Sequence, residues 1–245
     1  AMDFLLEELR QLKVHERSHH DARGNEIAVY PERFPLLPGL FGIPTLAEEI
    51  DLIAGLDRSR GRTTGLYVEL KGPRLHLSRD LDIATSVMRV LAEKGYAEKP
   101  EQVFLQCFDG QTLKRLRHDI GTSLPLIQLI GENSWGEDSN SDYDYLRTAD
   151  GLAEIAAYAD GIGPWINQVY LGRSPGGEPL LSDLVTMAHT QGLLVHPYTF
   201  RRDELPAGVK SFDELLEIFF AHAGVDGVFT DFPDLVYNYL RAPVS

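Results

Sequence analysis

The chain has 245 residues, 43% of them hydrophobic, with a formal net charge of −14 and one cysteine, Cys107. That length suits one large domain or two small ones with a sizeable core. The acidic balance argues against nucleic acid and anionic membranes, both of which attract Lys and Arg clusters, but one local cation can still serve a small anionic substrate.

A lone cysteine excludes an intrachain disulfide and a Cys-rich metal motif. No apolar run approaches the length of a membrane span. Ala1-Met2-Asp3 leads straight into an amphipathic segment without a signal peptide, an abrupt start that reads as a cloning scar or a truncation. Asp3 caps a predicted helix from Phe4 to Lys13, with Leu5, Leu9 and Leu12 on one stripe. Between His15 and Gly42 the periodicity disappears. His15, His19 and His20 invite a metal reading there, but no helix or strand is evident to aim them, and a solvated loop ranks first. A loop this long, about residues 15–44, is expected to act as a lid or cap over a site.

Thr45-Leu46-Ala47-Glu48 is a capping box, and the helix behind it runs to about Leu56. A strand follows at Gly65–Lys71, in which Tyr67, Glu69 and Lys71 share one face and Val68 and Leu70 the other. Gly72-Pro73 ends it. The charged pair is either a solvated strand end or, if buried, the servant of a metal, an anion or its own partner. Strand and helix then alternate. Helices are predicted at Leu81–Lys94, Gln111–His118, Gly151–Tyr158, Leu180–His189, Ser211–His222 and from Pro233 to Leu240. Strands are predicted at Val103–Cys107, Pro125–Leu129, Asp160–Gly163, Leu193–Tyr198 and Gly227–Asp231. Strict β-then-α alternation means a parallel sheet, and without a composition break the chain reads as one domain over residues 1–245.

Strand parity places Phe104 and Gln106 on one face, opposite Val103, Leu105 and Cys107. Gln128 falls opposite Ile127 and Leu129, and His196 and Tyr198 opposite Val195. Gln106 and Gln128 are therefore expected to line the mouth of a closed barrel, where the C-terminal strand ends converge. No Gly-rich phosphate fingerprint follows the first strand, which disfavours a doubly wound open sheet. Six units are two short of the eight of a complete barrel.

Several segments together resemble successive strand signatures of glycerophosphodiester phosphodiesterases, most closely the bacterial periplasmic type. They are Tyr67-Val68-Glu69-Leu70-Lys71, Phe104-Leu105-Gln106-Cys107-Phe108-Asp109, Tyr158-Ala159-Asp160-Gly161-Ile162-Gly163-Pro164, Val195-His196-Pro197-Tyr198-Thr199 and Gly227-Val228-Phe229-Thr230-Asp231-Phe232-Pro233-Asp234. Tyr30-Pro31-Glu32-Arg33-Phe34-Pro35 resembles that type's long loop before the capping-box helix.

The resemblance implies a TIM-type α/β barrel that hydrolyses glycerophosphodiesters to glycerol 3-phosphate and an alcohol with a bound divalent cation, Ca²⁺ or Mg²⁺. It implies Glu69 as a metal carboxylate and Lys71 as the catalytic, phosphate-binding cation. Tyr198, Gln106 and Arg201 are then substrate-binding candidates. Asp231 reads as a cap for the final helix, and His196 as a satisfied interior histidine. It also implies a periplasmic location, the cytoplasm being the alternative.

The family's opening block has no match in this sequence: no His-Arg-Gly strand occurs, and Glu49-Ile50-Asp51, His20-Asp21 and His118-Asp119 do not follow one as the family's Glu-x-Asp metal pair and His-Asp dipeptide do. The barrel is accordingly expected to lack its first two units. The chain is expected to be weak or inactive, with a weakly held metal, and to associate as a homodimer or with a separate N-terminal piece. The alternative is a non-catalytic barrel fragment serving as a binding or structural module.

Overall fold

A computed structural model describes residues 2–36, 39 and 41–241. Residues 37, 38 and 40 of the expected cap lie outside the described residues. The chain divides into two compact units, Ala1–Thr64 and Gly65–Ser245.

In the first unit the expected opening helix shortens to Leu6–Leu9. Leu5, Leu6 and Leu12 are exposed, and a helix without a packed face does not propagate beyond a turn. The His-rich segment carries a strand that its sequence pattern does not announce. Strand β1 (Ser18–His20) pairs antiparallel with β2 (Glu26–Ala28). Turn chemistry sets this hairpin: the Asp21 carboxylate accepts from the backbone N–H groups of Arg23 and Asn25, and Gly24 takes φ +80°. His19 and His20 are exposed on alternate faces, so the strand cannot aim both at one ion.

Helix Leu46–Arg60 opens on the expected capping box. The Thr45 hydroxyl accepts from Glu48 N–H at 3.3 Å, while the Glu48 carboxylate accepts from Thr45 N–H at 2.8 Å. It continues one turn beyond Leu56 because only Gly61, at φ +61°, adopts the left-handed conformation that ends it.

The second unit is α/β. Strands β3 (Leu66–Glu69), β4 (Val103–Cys107), β5 (Leu126–Ile130) and β6 (Gly161–Pro164) come first in chain order. A hairpin of β7 (Tyr170–Arg173) and β8 (Pro179–Leu181) precedes β9 (Leu194–Val195). The sheet order is β3-β4-β5-β6-β9, parallel throughout. Parallel bridges Trp165–Tyr198 and Phe200–Thr230 carry the array on toward the segment around Phe229. Strand β8 takes Leu180 and Leu181 from the predicted helix, which begins at Leu184 instead. An unpredicted helix, Pro73–Leu77, follows β3, with Gly72 at φ +58° before it and Pro73 in its first turn.

The outer face of the sheet packs under helices whose starts are written in the sequence. Asp82, Asp109, Thr148 and Ser211 each accept a backbone N–H from the first turn of the helix they precede. Leu91, Leu105, Leu113, Leu126 and Leu152 are completely buried in this layer. Each such side chain contributes roughly 1.5–3 kcal/mol of transfer free energy.

The inner face is narrow. Tyr67 stacks on Phe104 at 4.9 Å and meets Phe229 edge-on at 4.7 Å. A Cβ on inward Gly163 would fall 2.7 Å from Leu129, so the absent side chain makes room for that leucine.

Candidate active site

β3 places Glu69 one inward step above Tyr67, and the pairing Glu69–Gln106 puts the two side chains beside each other on the inner face. The strand ends at Glu69, and two residues on, the Lys71 Nζ lies 3.9 Å from Glu69 Oε1. The lysine side chain is 80% exposed and the glutamate 26%, so the ammonium can reach an incoming anion while the carboxylate stays in the cleft. Glu69, Lys71, Gln106 and Tyr198 all line one cavity of about 300 Å³ at the C-terminal ends of the strands, with Phe108, Leu129, Trp135 and Glu137.

Burial pushes the Glu69 carboxyl above its ordinary value. Lys71 opposes that shift and Glu137 adds to it. Gln106 is 7% exposed, and its Oε1 has no hydrogen-bond partner. A buried acceptor left open costs free energy, and in a cleft it is a ready position for a ligand.

Arg201 lines an adjacent cavity of about 360 Å³. Its guanidinium donates to Asp231 and to Glu204, each at 2.7 Å. Asp231, expected as a helix cap, thus engages Arg201. The Tyr198 hydroxyl donates to Ile130 O at 2.8 Å, so its ring is what it offers the cavity.

One expectation is overturned. Gln128 does not line the mouth. In the β4–β5 register Gln106 stands beside Ile127, and Gln128 stands beside Cys107, so Gln128 points outward into the helical layer. Its amide donates to Phe108 O and Leu129 O at 2.9 Å each, and its Oε1 accepts from the Tyr158 hydroxyl at 2.9 Å. Parity within β5 is compatible with either orientation; the neighbouring strand decides it.

His196 sits below the site with the Tyr67 hydroxyl 3.0 Å from its Nδ1, and burial lowers its pKa, which keeps it a neutral interior imidazole. Burial pushes the Cys107 thiol up to about 12, so it is a structural group and not a nucleophile.

Sequence reasoning missed Glu137 and Trp135, which belong to the polar segment after β5. Loops at the C-terminal ends of parallel strands are where such residues collect, and that position was their only signal. Asp138 fastens this loop by accepting from Leu75 N–H at 2.8 Å, at the start of helix Pro73–Leu77. That contact holds Glu137 beside the Glu69–Lys71 corner.

The donor set partly fits a hard cation. Glu69 and Glu137 offer carboxylate oxygens and Gln106 an open amide oxygen, which suits an ion that keeps several waters. Among the described residues no group of three His, Cys, Asp or Glu side chains is placed to hold a metal ion. Nor is any of those helices long and apolar enough to cross a membrane.

A glycerophosphodiester phosphodiesterase of Haemophilus influenzae is 35% identical over 255 residues, covering 98% of this chain and 70% of that protein. One of Treponema pallidum is 32% identical, covering 99% and 72%. Among solved structures, a Silicibacter pomeroyi protein assigned by name as a glycerophosphoryl diester phosphodiesterase superposes with a TM-score of 0.58 at 25% identity. That match covers 87% of this chain and 62% of that one, less than two thirds of its length. A glycerophosphodiester phosphodiesterase from Parabacteroides distasonis superposes at 0.54 with 16% identity, covering 97% and 71%, and speaks for the fold alone. The α/β fold with its parallel sheet is thus of the TIM-barrel type, and the phosphodiesterase relatives do not favour the reading as a non-catalytic module. The model of the glycerophosphoryl diester phosphodiesterase family matches residues 1–235, and the chain belongs to that family.

Proposed function

We propose that the cavity at Glu69 and Lys71 is a phosphodiesterase centre that cleaves glycerophosphodiesters to glycerol 3-phosphate and an alcohol. The observation that carries this is the meeting of Glu69, Lys71, Gln106 and Tyr198 in one cavity at the C-terminal strand ends of a chain from this family. Lys71 meets the phosphoryl oxygens as a mobile point charge, and its attraction grows as negative charge accumulates on them. Glu69, aided by Glu137 and the Gln106 carbonyl, would hold a divalent cation, Ca²⁺ or Mg²⁺. When bound, the ion supplies Lewis-acid neutralisation of the phosphoryl oxygens. Tyr198 closes the cavity with its ring and shields the phosphate from water.

Among the described residues no histidine lines this cavity. Proton transfer to the leaving alkoxide is therefore unassisted by imidazole, and each such missing group costs typically a factor of about 10²–10⁴. The chain binds its ligand and turns it over slowly.

The test is calorimetric titration with glycerol 3-phosphate, with and without Ca²⁺, alongside release of glycerol 3-phosphate from glycerophosphoglycerol. Binding strengthened by the cation, and weakened about tenfold or more in Lys71→Ala, is the expected result. Binding indifferent to Ca²⁺, to Lys71→Ala and to Glu69→Gln refutes the assignment.

A further inference from the structure

The second unit exposes large hydrophobic side chains mainly at one end. Leu75, Leu77, Leu81, Trp135, Leu171 and Leu180 keep 42–60% of their surface in water. Each lies between a strand of the parallel sheet and the helix that packs behind it: β3 and Ile83–Glu93, β5 and Ala149–Ala156, or β6 and Leu184–Thr190. That puts all six on the loops at the C-terminal strand ends, the end that carries Glu69 and Lys71. Among the described residues of this unit, the other large hydrophobic side chains so exposed are Tyr145, on the same connection as Trp135, and Tyr237 and Leu240 on the last helix.

The three loops are joined. The Leu75 N–H donates to the Asp138 carboxylate at 2.8 Å, and Trp135 meets Trp165 with ring centroids 5.2 Å apart. In hairpin β7–β8, Tyr170 is buried and its neighbour Leu171 is exposed. Leu180 pairs with Gly172, which has no side chain to cover it. Between Lys71 and Leu75, Arg74 also stands exposed. Leucine is under-represented among the residues that carry protein–protein affinity. Leucines with a tryptophan at the boundary and a cation among them are instead how a surface lies on a bilayer. The net charge of −14 opposes an anionic bilayer, whereas a zwitterionic one presents its phosphates without a negative surface potential.

We propose that this end of the barrel docks on a zwitterionic lipid surface, with the leucines of the loops after β3 and β6 entering the acyl boundary and Arg74 meeting headgroup phosphate. The inference goes beyond the phosphodiesterase reading and does not rest on it, because docking is read without substrate, metal or turnover.

The full chain is mixed with phosphatidylcholine vesicles, and binding is read by co-flotation and by quenching of tryptophan fluorescence with lipid brominated in its acyl chains. The parent should float with the vesicles and be quenched. Leu171→Ser combined with Leu180→Ser should raise the lipid concentration at half-binding about tenfold or more. Leu75→Ser combined with Leu77→Ser should do the same from a different loop, so that a failure of one pair to fold leaves the other to decide. Leu240→Ser, on the last helix, should leave half-binding unchanged. No flotation of the parent overturns the proposal, as does equal flotation of the parent and both double variants, or an equal loss in Leu240→Ser. Binding that appears only when anionic lipid is added overturns it too. A parent dimer in sedimentation velocity that the double variants disperse, without flotation, would make this end a contact between copies and likewise overturn the proposal. Failure of hydrolysis leaves this inference standing, and failure of docking leaves the phosphodiesterase assignment standing.

Discussion

Gln106 and Gln128 sit on neighbouring strands of one sheet and have opposite fates. Gln106 faces the interior cavity with an acceptor left open. Gln128 faces the helical layer with both ends of its amide engaged. At this pair the outer amide is satisfied and helps to hold the fold, whereas the inner one leaves an acceptor open, which costs stability and keeps a position available to a ligand.

The largest effect should come from breaking the outer side. Gln128→Ala strands the Tyr158 hydroxyl and two backbone carbonyls, so urea denaturation should show a loss of about 3 kcal/mol. A loss below about 1 kcal/mol would mean that water or a neighbour takes over these groups.

The same contrast holds for carboxylates. Asp82 caps helix Ile83–Glu93 and accepts from both terminal nitrogens of Arg115, at 2.9 and 2.6 Å. Hydrogen bonding to Arg115 holds its carboxyl well below the usual carboxylate range. A depressed pKa gives stability that is present above the unfolded value of 3.8 and lost as pH falls below it. Asp82→Ala should therefore cost about 1 kcal/mol at neutral pH, mostly the cap, since the partly exposed ion pair is screened. That cost should shrink on acidification.

Glu69 runs the other way. Its carboxyl is raised by burial, so the folded chain binds the proton more tightly than the unfolded one. The resulting stability is present below the ordinary value of 4.5 and disappears as pH rises through the raised one. Thermal melts of Glu69→Gln should thus exceed those of the parent at pH 7 and converge with them toward pH 4, even as cation binding is lost. A mutant less stable than the parent at pH 7 would contradict the assigned burial cost.

The smallest change in stability belongs to Gln106→Leu. Replacing an amide whose oxygen has no partner by an apolar group of similar size should leave the unfolding free energy within about 1 kcal/mol of the parent. Affinity for glycerol 3-phosphate should still fall. Stability lost without affinity lost would make Gln106 a structural residue like Gln128.

Much of the architecture was legible because it is local. Thr45 and Ser211 announce helix starts through their own backbone hydrogen bonds, and alternating residues in Tyr67–Lys71 announce a strand with Glu69 on its polar face. The pairing of β-then-α units follows from the same local signals. Four site candidates, Glu69, Lys71, Gln106 and Tyr198, meet in one cavity because they sit at the ends of those units.

Sequence alone was enough for the alternation of strands β3, β4, β5, β6 and β9 with the helices between them, and for the closeness of Glu69 and Lys71, but not for hairpins β1–β2 and β7–β8 or helix Pro73–Leu77. Tertiary structure alone decided which way Gln128 points, because a strand's alternation names two faces without saying which is inside; the register against β4 breaks the tie. It also decided that Trp135, Trp165 and Glu204 meet. They come from three loops far apart in the chain, and only packing at the ends of the parallel strands brings them to one cavity.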